Sequence, residues 1–436
     1  MPHSGPKSSN GQCIALPDGW KFKDADSRYG NDYRPGNSPM QQQQDAPLGI
    51  LSNLAGQTFV GGGINMLFRP NNGVANANTC FPTPVKPPPP TSPNNNVLEI
   101  NLFEETLTFT SAIAHCIPNR GFKDQGDIGL NGIMYLQTIS DVTNKNTGQA
   151  DGEPCPIHTE NGMLIRIPPI TTNPDIPCAT INRLGSIPHG VSINLQGFEP
   201  LASATVSGPP NITHNGCLTT PFQILQDGSI QLQNNPAFPS LTAANECTAR
   251  IPQDLTKFVA AGTITDTFLN DPTQLLSAVN QNRNILSTIT LTMSSTNGTT
   301  PNSDPDKPKP PVPTGGGVVG NTFLAGDPTG TTANSFPYSV DFTLWIETVG
   351  YSVPVPNGGL AAKETTEVPH EGITFLLRPP SDVKAGTTVD VQVTELQYSQ
   401  MVLLQFGVLT WPHPSVSTLK PPTVTVGVDH IAWTKV

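Results

Sequence analysis

Val97–Thr110 reads VLEINLFEETLTFT. Its apolar residues recur with period two, the spacing of a strand with one buried face. Ile133–Ile139 (IMYLQTI), Gly162–Ile167 (GMLIRI) and Val191–Leu195 (VSINL) repeat the pattern. Thr288–Met293, Val340–Val349, Thr388–Leu396 and Val424–Val436 continue it, each bounded by Gly, Pro or Asn. Strands this closely spaced leave no room for the helical crossovers of a parallel sheet. The chain therefore reads as mainly β and antiparallel, most economically a barrel or a sandwich. Within the opening stretch, Glu104 and Glu105 are adjacent, so at most one of them can face a pocket.

Three polar or Pro-rich stretches read as linkers or long loops: 28–47, 70–96 and 297–320. The expected organisation is an extended or disordered segment over 1–45, a barrel over 46–200 and a second β unit over 201–436. A helix is expected near 271–286, where Asp271 and Pro272 open a run with Leu275, Leu276 and Val279 on one face. Pro47–Ala55 carries Leu48, Leu51 and Leu54 at helical spacing and reads as a lid at a barrel mouth. INMLFRP at Ile64–Pro70 echoes ITFLLRP at Ile373–Pro379, and SIPHGVS around His189 echoes TWPHPSV around His413. Two related barrel-like units in tandem would account for both echoes.

The 436 residues include 47 Pro and 39 Gly, which excludes a helical bundle. Charged residues are only 13 %, and the net charge of −11 comes without a Lys/Arg block. Neither a nucleic acid nor an anionic membrane is an expected partner. No apolar run is long enough to span a bilayer. The start shows no apolar leader, and the seven cysteines form no CxxC pair. A cytoplasmic protein with mostly free thiols is the expectation, or a secreted one if a leader was removed.

Histidines are the candidates for chemistry, because neutral imidazole both ligates metals and moves protons near neutral pH. His158 and Glu160 are two apart in a strand and share a face, so the carboxylate can orient the ring. His189 sits between Pro188 and Gly190, and His413 between Pro412 and Pro414. Each flanking pair fixes the backbone and aims the ring. These four form the candidate catalytic set. His430, in the last expected strand, lies on the face shared by Val428 and Ala432. No metal site is expected from motif spacing, since HExxH and paired CxxC are missing; His189 and His413 with a third histidine are the remaining possibility.

The order of these stretches resembles nitrobindins and other calycin-type, lipocalin-like barrels. Leu48–Gly63, ending LAGQTFVGGG, is similar to their helix followed by LxGTWxGxG. Phe103–Phe109 is similar to their Y-x-E-E strand, and Gly132–Gln137 to the strand after it. Pro156-Ile-His158-Thr-Glu160-Asn-Gly162 resembles P-x-H-x-E-x-G. Asp429–Thr434 is similar to the closing H-L-x-A-x-L strand, where the haem-ligating histidine lies. SIPHG around His189, LWIET around Trp345 and WPHPSV around His413 resemble a larger group of bacterial and fungal proteins labelled haem-binding or peroxidase-like. The resemblance implies a barrel cavity holding a hydrophobic small molecule, with haem as cofactor and His430 as its ligand. A cofactor-free isomerase or cyclase using a pocket histidine, and a non-enzymatic carrier or interaction protein, are the alternatives.

Overall fold

The computed structural model describes residues 47–70, 80–81, 96–114, 116–121, 126–144, 146–169, 178–201, 204–212, 219, 221–224, 226, 230–232, 255–295, 317–320, 329, 335–406 and 409–434. The chain divides into Met1–Asp45 and Ala46–Val436. The segment expected over 1–45 lies outside the described residues, as does nearly all of the expected linkers at 28–47 and 70–96. Of the loop expected over 297–320, only Gly317–Gly320 is described, as a short strand pairing with Val191–Asn194.

Alternating sequence becomes one closed antiparallel sheet of ten strands. In chain order they are β1 (Thr58–Pro70), β2 (Asn96–Ala112), β3 (Ile128–Asp141), β4 (Cys155–Ile167), β5 (Thr180–Ile187) and β6 (Val191–Phe198). The second half supplies β7 (Ile285–Ser294) and β8 (Phe336–Pro354). A separate small sheet then intervenes, with β9 (Thr366–His370) and β10 (Ile373–Leu377). β11 (Thr388–Phe406) and β12 (Leu409–Lys420) complete the barrel, and β13 (Thr423–Val426) joins the small sheet parallel to β10. Each barrel strand pairs with the next in chain order, and β1 pairs with β12 from Val60↔Lys420 to Asn65↔Ser415.

The expected units 46–200 and 201–436 therefore share one barrel wall. β6 meets β7 at Gln196↔Ser294, and β1 meets β12. The physical reason is edge protection: two separate half-sheets would each present unpaired strands, and mutual closure removes them. The internal echoes have no counterpart in this fold. Ile64–Pro70 lies in a barrel strand, whereas Ile373–Leu377 is the middle strand of the small sheet. His189 sits in the turn between β5 and β6, whereas His413 lies within β12.

The register explains the opening stretch. Phe103, Glu105, Leu107 and Phe109 face the barrel interior, while Glu104 and Thr106 are exposed. Leu98 and Ile100 lie on the opposite, outer face, yet they are buried. The helices α1 (Thr256–Ala260), α2 (Asp266–Asn270) and α3 (Gln274–Asn280) cover them. Leu255, Leu269 and Leu276 pack with Ile64, Met66, Phe68 and Trp345 in that outer core. α3 is shorter than the helix expected near 271–286, and its Val279 is exposed rather than on the buried face.

At one end, the 3₁₀ turn Gly49–Asn53 plugs the barrel by inserting fully buried Leu51 and Leu54 into the inner core. This is the lid expected at Pro47–Ala55. β1 approaches β12 so closely that a Cβ at Gly61 or Gly63 would lie 2.1 or 1.9 Å from the carbonyl oxygens of Thr418 and Val416. Only glycine fits at these two positions.

Beyond the barrel, β8 and β11 continue as a long hairpin. Its Val349, Tyr351, Val353, Val389, Val391 and Val393 pack against Phe375 and Leu377 of the small sheet. The strand expected over Val424–Val436 ends at Val426. Gly427 turns the chain, and its carbonyl accepts the indole N–H of Trp433 at 2.7 Å. Ile431–Thr434 then forms a 3₁₀ turn with Ala432 buried beside the small sheet.

Candidate functional site

The barrel interior changes character along its axis. Next to the plug it is apolar, with Phe59, Phe109, Ile133, Leu164 and Ile181 buried together. Toward the other end lies a layer of ionisable side chains, with His158 and His189 beyond it. Between the two zones is a cavity of about 30 Å³. Leu107, Phe109, Leu164, Met293, Phe342 and Leu344 form its apolar walls. Tyr135, Gln137, Arg183 and Tyr398 form its polar side.

Strand alternation builds that polar side. On β3, Tyr135 and Gln137 share the inward face of Ile133. On β4, Glu160 is opposite Gln137 and His158 opposite Ile139, so all face inward. On β5, Arg183 shares its face with buried Ile181. The Arg183 Nη2 donates to Glu160 Oε1 at 2.8 Å, and its Nε contacts Glu160 Oε1 and the Tyr135 hydroxyl, each at 3.2 Å. Its Nη1 donates to Gln400 Oε1 at 2.9 Å, which ties β5 to β11 across the interior. The guanidinium lies 4.6 Å from the Phe342 ring centroid and 5.5 Å from that of Tyr135, so both ring faces stabilise it. Tyr135 donates a short hydrogen bond to Glu160.

Electrostatics follow from these contacts. Burial alone would raise the Glu160 pKa. The Arg183 charge, with hydrogen bonds from His158 and Tyr135, overcomes it and holds that carboxyl at about 2. Burial would likewise loosen the Arg183 proton, and the oxygens of Glu160 and Tyr135 more than reverse it. Tyr135 is raised above the usual phenol value, first by burial and then by Glu160. Glu160 and Arg183 thus remain a fixed ion pair at neutral pH.

His158 links this pair to solvent. Its Nε2 lies 3.5 Å from Glu160 Oε2, and its side chain is 22 % exposed against 1 % for Glu160. The ring of His189, an exposed turn residue, lies 6.1 Å from that of His158. Partial burial and the His158 charge push the His189 pKa below its ordinary value.

The structure thus brings together His158, Glu160 and His189, all expected from sequence. His413 lies on β12, where its Nδ1 is 2.7 Å from the Trp411 carbonyl oxygen and its ring 5.2 Å from the Trp411 ring. His430 is not among them. It sits in the turn after β13, outside the barrel wall, with its Nδ1 accepting from the Ala432 N–H at 3.3 Å. Gly427 redirects the chain before it, so the expected inward strand face does not form.

Haem, the group the resemblance implies, does not fit the described residues. The cavity of about 30 Å³ holds roughly two water molecules, far less than a porphyrin. The imidazole assigned to the iron, that of His430, is outside the barrel. Among the described residues no three His, Cys, Asp or Glu side chains converge on a common point where a metal would sit. Among them also, no helix is long and apolar enough to cross a membrane.

No protein-family model matches the sequence, and no curated protein matches it. Among solved structures, the chain is similar to Rv2717c from M. tuberculosis, at 11 % identity and a TM-score of 0.27. That likeness covers 85 % of this chain and 94 % of the other, and it carries no argument about function. The cavity and its polar side stand on their own geometry.

Proposed function

We propose that this barrel binds a small, largely apolar molecule, with one end in the cavity and the other toward the opening that carries His158 and His189. The observation that supports it is the one-sided distribution of polar groups. The cavity is walled by aliphatic and aromatic side chains, and its hydrogen-bonding groups all lie toward the histidines. A pocket of that kind orients a ligand with one apolar and one polar end. The closed antiparallel barrel is in keeping with a ligand-holding protein, but haem is not part of this reading.

The test is ligand-observed NMR with a panel of four- to six-carbon probes, on the wild type and on Leu164→Phe and Leu344→Phe. Binding to the wild type and its loss in both filled variants is the expected result. Absence of binding by any probe, or binding that filling leaves unchanged, removes the reading.

A second reading, acid–base catalysis, is favoured by the His158–Glu160 contact. An imidazole in reach of solvent, oriented by a carboxylate that stays ionised, is suited to take a proton from a bound molecule. Here His158 is the base, Glu160 its positioning residue and His189 a neighbour that can pass the proton outward. The wild type would then speed hydrogen–deuterium exchange beside the carbonyl of a bound ketone, and His158→Asn would not. Binding without faster exchange leaves a carrier.

A further inference from the structure

Glu105, on the inward face of β2, is neither part of the Glu160–Arg183 pair nor in contact with His158. Its side chain is buried inside the barrel, beside the cavity. Its Oε1 accepts from Gln137 Nε2 at 2.6 Å. Its Oε2 lies 2.8 Å from the Tyr398 hydroxyl and 2.9 Å from Ser417 Oγ. Among the described residues no Lys, Arg or His comes within ion-pair distance of it; Arg183, the nearby cation, is bound to Glu160. A buried carboxylate with no cation beside it is expensive.

We propose that Glu105 is held as a neutral carboxylic acid, and that the cavity's polar side consequently selects an uncharged ligand bearing a carbonyl oxygen. The ligand half rests on the binding reading above; the protonation half does not. The hydrogen bonds accommodate a neutral acid. The Glu105 O–H donates to Ser417 Oγ, and the Ser417 hydroxyl in turn donates to the Gly62 carbonyl, 3.3 Å away. Gln137 and Tyr398 still donate to the carboxyl oxygens. Burial raises the pKa of this acid by more than the three hydrogen bonds and a charged His158 lower it, so the net shift is upward.

The ligand class follows from the protons left over. The Tyr135 hydroxyl proton is committed to Glu160, and that of Tyr398 to Glu105. Arg183 has five N–H groups, and its contacts with Glu160, Tyr135 and Gln400 engage three. One N–H of Gln137 is likewise unused by Glu105. The cavity therefore offers N–H donors, and a carbonyl oxygen is their complement. A carboxylate ligand would also accept from them. It would, however, bring a second anion to a layer in which Glu160 already balances Arg183, with no further Lys or Arg paired there among the described residues to offset its desolvation.

Two measurements test this. Infrared difference spectra of the wild type against Glu105→Gln at neutral pH should lose the carbonyl band of a protonated carboxylic acid. In Ser417→Ala, which keeps Glu105, the same band should persist at a shifted frequency. A carboxylate band lost in its place, or a band that Ser417→Ala leaves unmoved, overturns the neutral acid. In the binding arm, 2-butanone should bind the wild type at least about tenfold more tightly than butyrate. Butyrate binding equally well overturns the ligand class. If neither binds, the small-molecule reading falls with the ligand class, and the infrared result still decides the state of Glu105.

Discussion

Two buried clusters in this barrel use the same three residue types and arrive at opposite charge balances. Inside, Arg183 meets one carboxylate, Glu160, to which Tyr135 donates. On the outer wall, Arg283 donates to two carboxylates, Glu347 at 2.5 Å and Glu395 at 2.7 Å, and Tyr351 donates to Glu395. Glu347 and Glu395 are direct cross-strand partners on β8 and β11. Like charges so placed repel unless a cation sits between them. The inner cluster is neutral and borders a cavity. The outer one carries an excess negative charge, and Asn280 of α3 fixes its arginine at 2.7 Å. Balance suits a site that must keep its charge state; imbalance makes one proton easy to add.

The largest difference should come from removing each arginine. Arg183→Met leaves Glu160 buried without a cation, and loss of a buried partner costs about 3–5 kcal/mol. Arg283→Met should cost at least ~1 kcal/mol less in urea unfolding near pH 5, where one outer carboxyl already holds a proton. Equal losses would mean that the charge count does not distinguish the clusters.

Stability against pH separates them by sign. Glu160 is lowered to about 2, so the stability it contributes is full above about pH 4.5 and is lost as pH falls toward 2. Glu347 is raised to about 7, by burial first and by Glu395 second. Between about pH 4.5 and 7 the folded state therefore binds more protons at Glu347 than the unfolded one, and stability declines as pH rises. Glu347→Gln should remove that decline, a gain on the order of 3 kcal/mol over the wild type at pH 8 relative to pH 4. An unchanged wild-type-minus-variant difference between those pH values would show that Arg283 neutralises both carboxylates fully.

The tyrosines give a smaller and sharper contrast. Tyr135→Phe and Tyr351→Phe each delete a hydrogen bond to a buried carboxylate, at about 1–2 kcal/mol. Only Tyr135 lines the cavity, so only Tyr135→Phe should also alter probe binding. A matching effect from Tyr351→Phe would mean that the outer cluster reaches the cavity through the wall.

Sequence reasoning reached the barrel, because period-two alternation is local and survives in every strand. It also reached His158 and Glu160, which are two apart on one strand, and His189, fixed by Pro188 and Gly190. Arg183, Tyr135, Gln137 and Tyr398 escaped, since their meeting depends on how three strands, β3, β5 and β11, align across the interior. A signal existed for one of them, Arg183, which occupies an apolar-phase position after Ile181; buried Glu105 carries the same signal between Phe103 and Leu107. His430 misled because Gly427, three residues earlier, turns the chain where periodicity alone continued the strand. The division into two units failed on pairings between residues more than 300 apart, such as Asn65↔Ser415, which no local pattern encodes.

A third arginine–glutamate pair, half-way between buried and exposed, places the comparison on a scale. Arg166 donates from Nε to Glu199 Oε2 at 2.7 Å, and Glu199 Oε1 accepts the Ile50 N–H at 2.9 Å. The pair therefore pins the plug turn to β4. Gly49 (φ +58°) is required beside it, because a Cβ there would lie 1.8 Å from Glu199 Oε1. With side chains 15 % and 10 % exposed, the pair is partly hydrated, so Glu199→Gln should cost only about 1 kcal/mol. That corresponds to roughly fivefold faster hydrogen exchange at the Ile50 amide. The gain in exchange should be confined to Gly49–Asn53, because Leu51 and Leu54 remain buried and the barrel strands keep their pairing. Faster exchange throughout β3 and β4 would instead mean that the plug holds the barrel shut. Unchanged exchange at Ile50 would mean that burial of the two leucines alone seats it, with Glu199 a bystander.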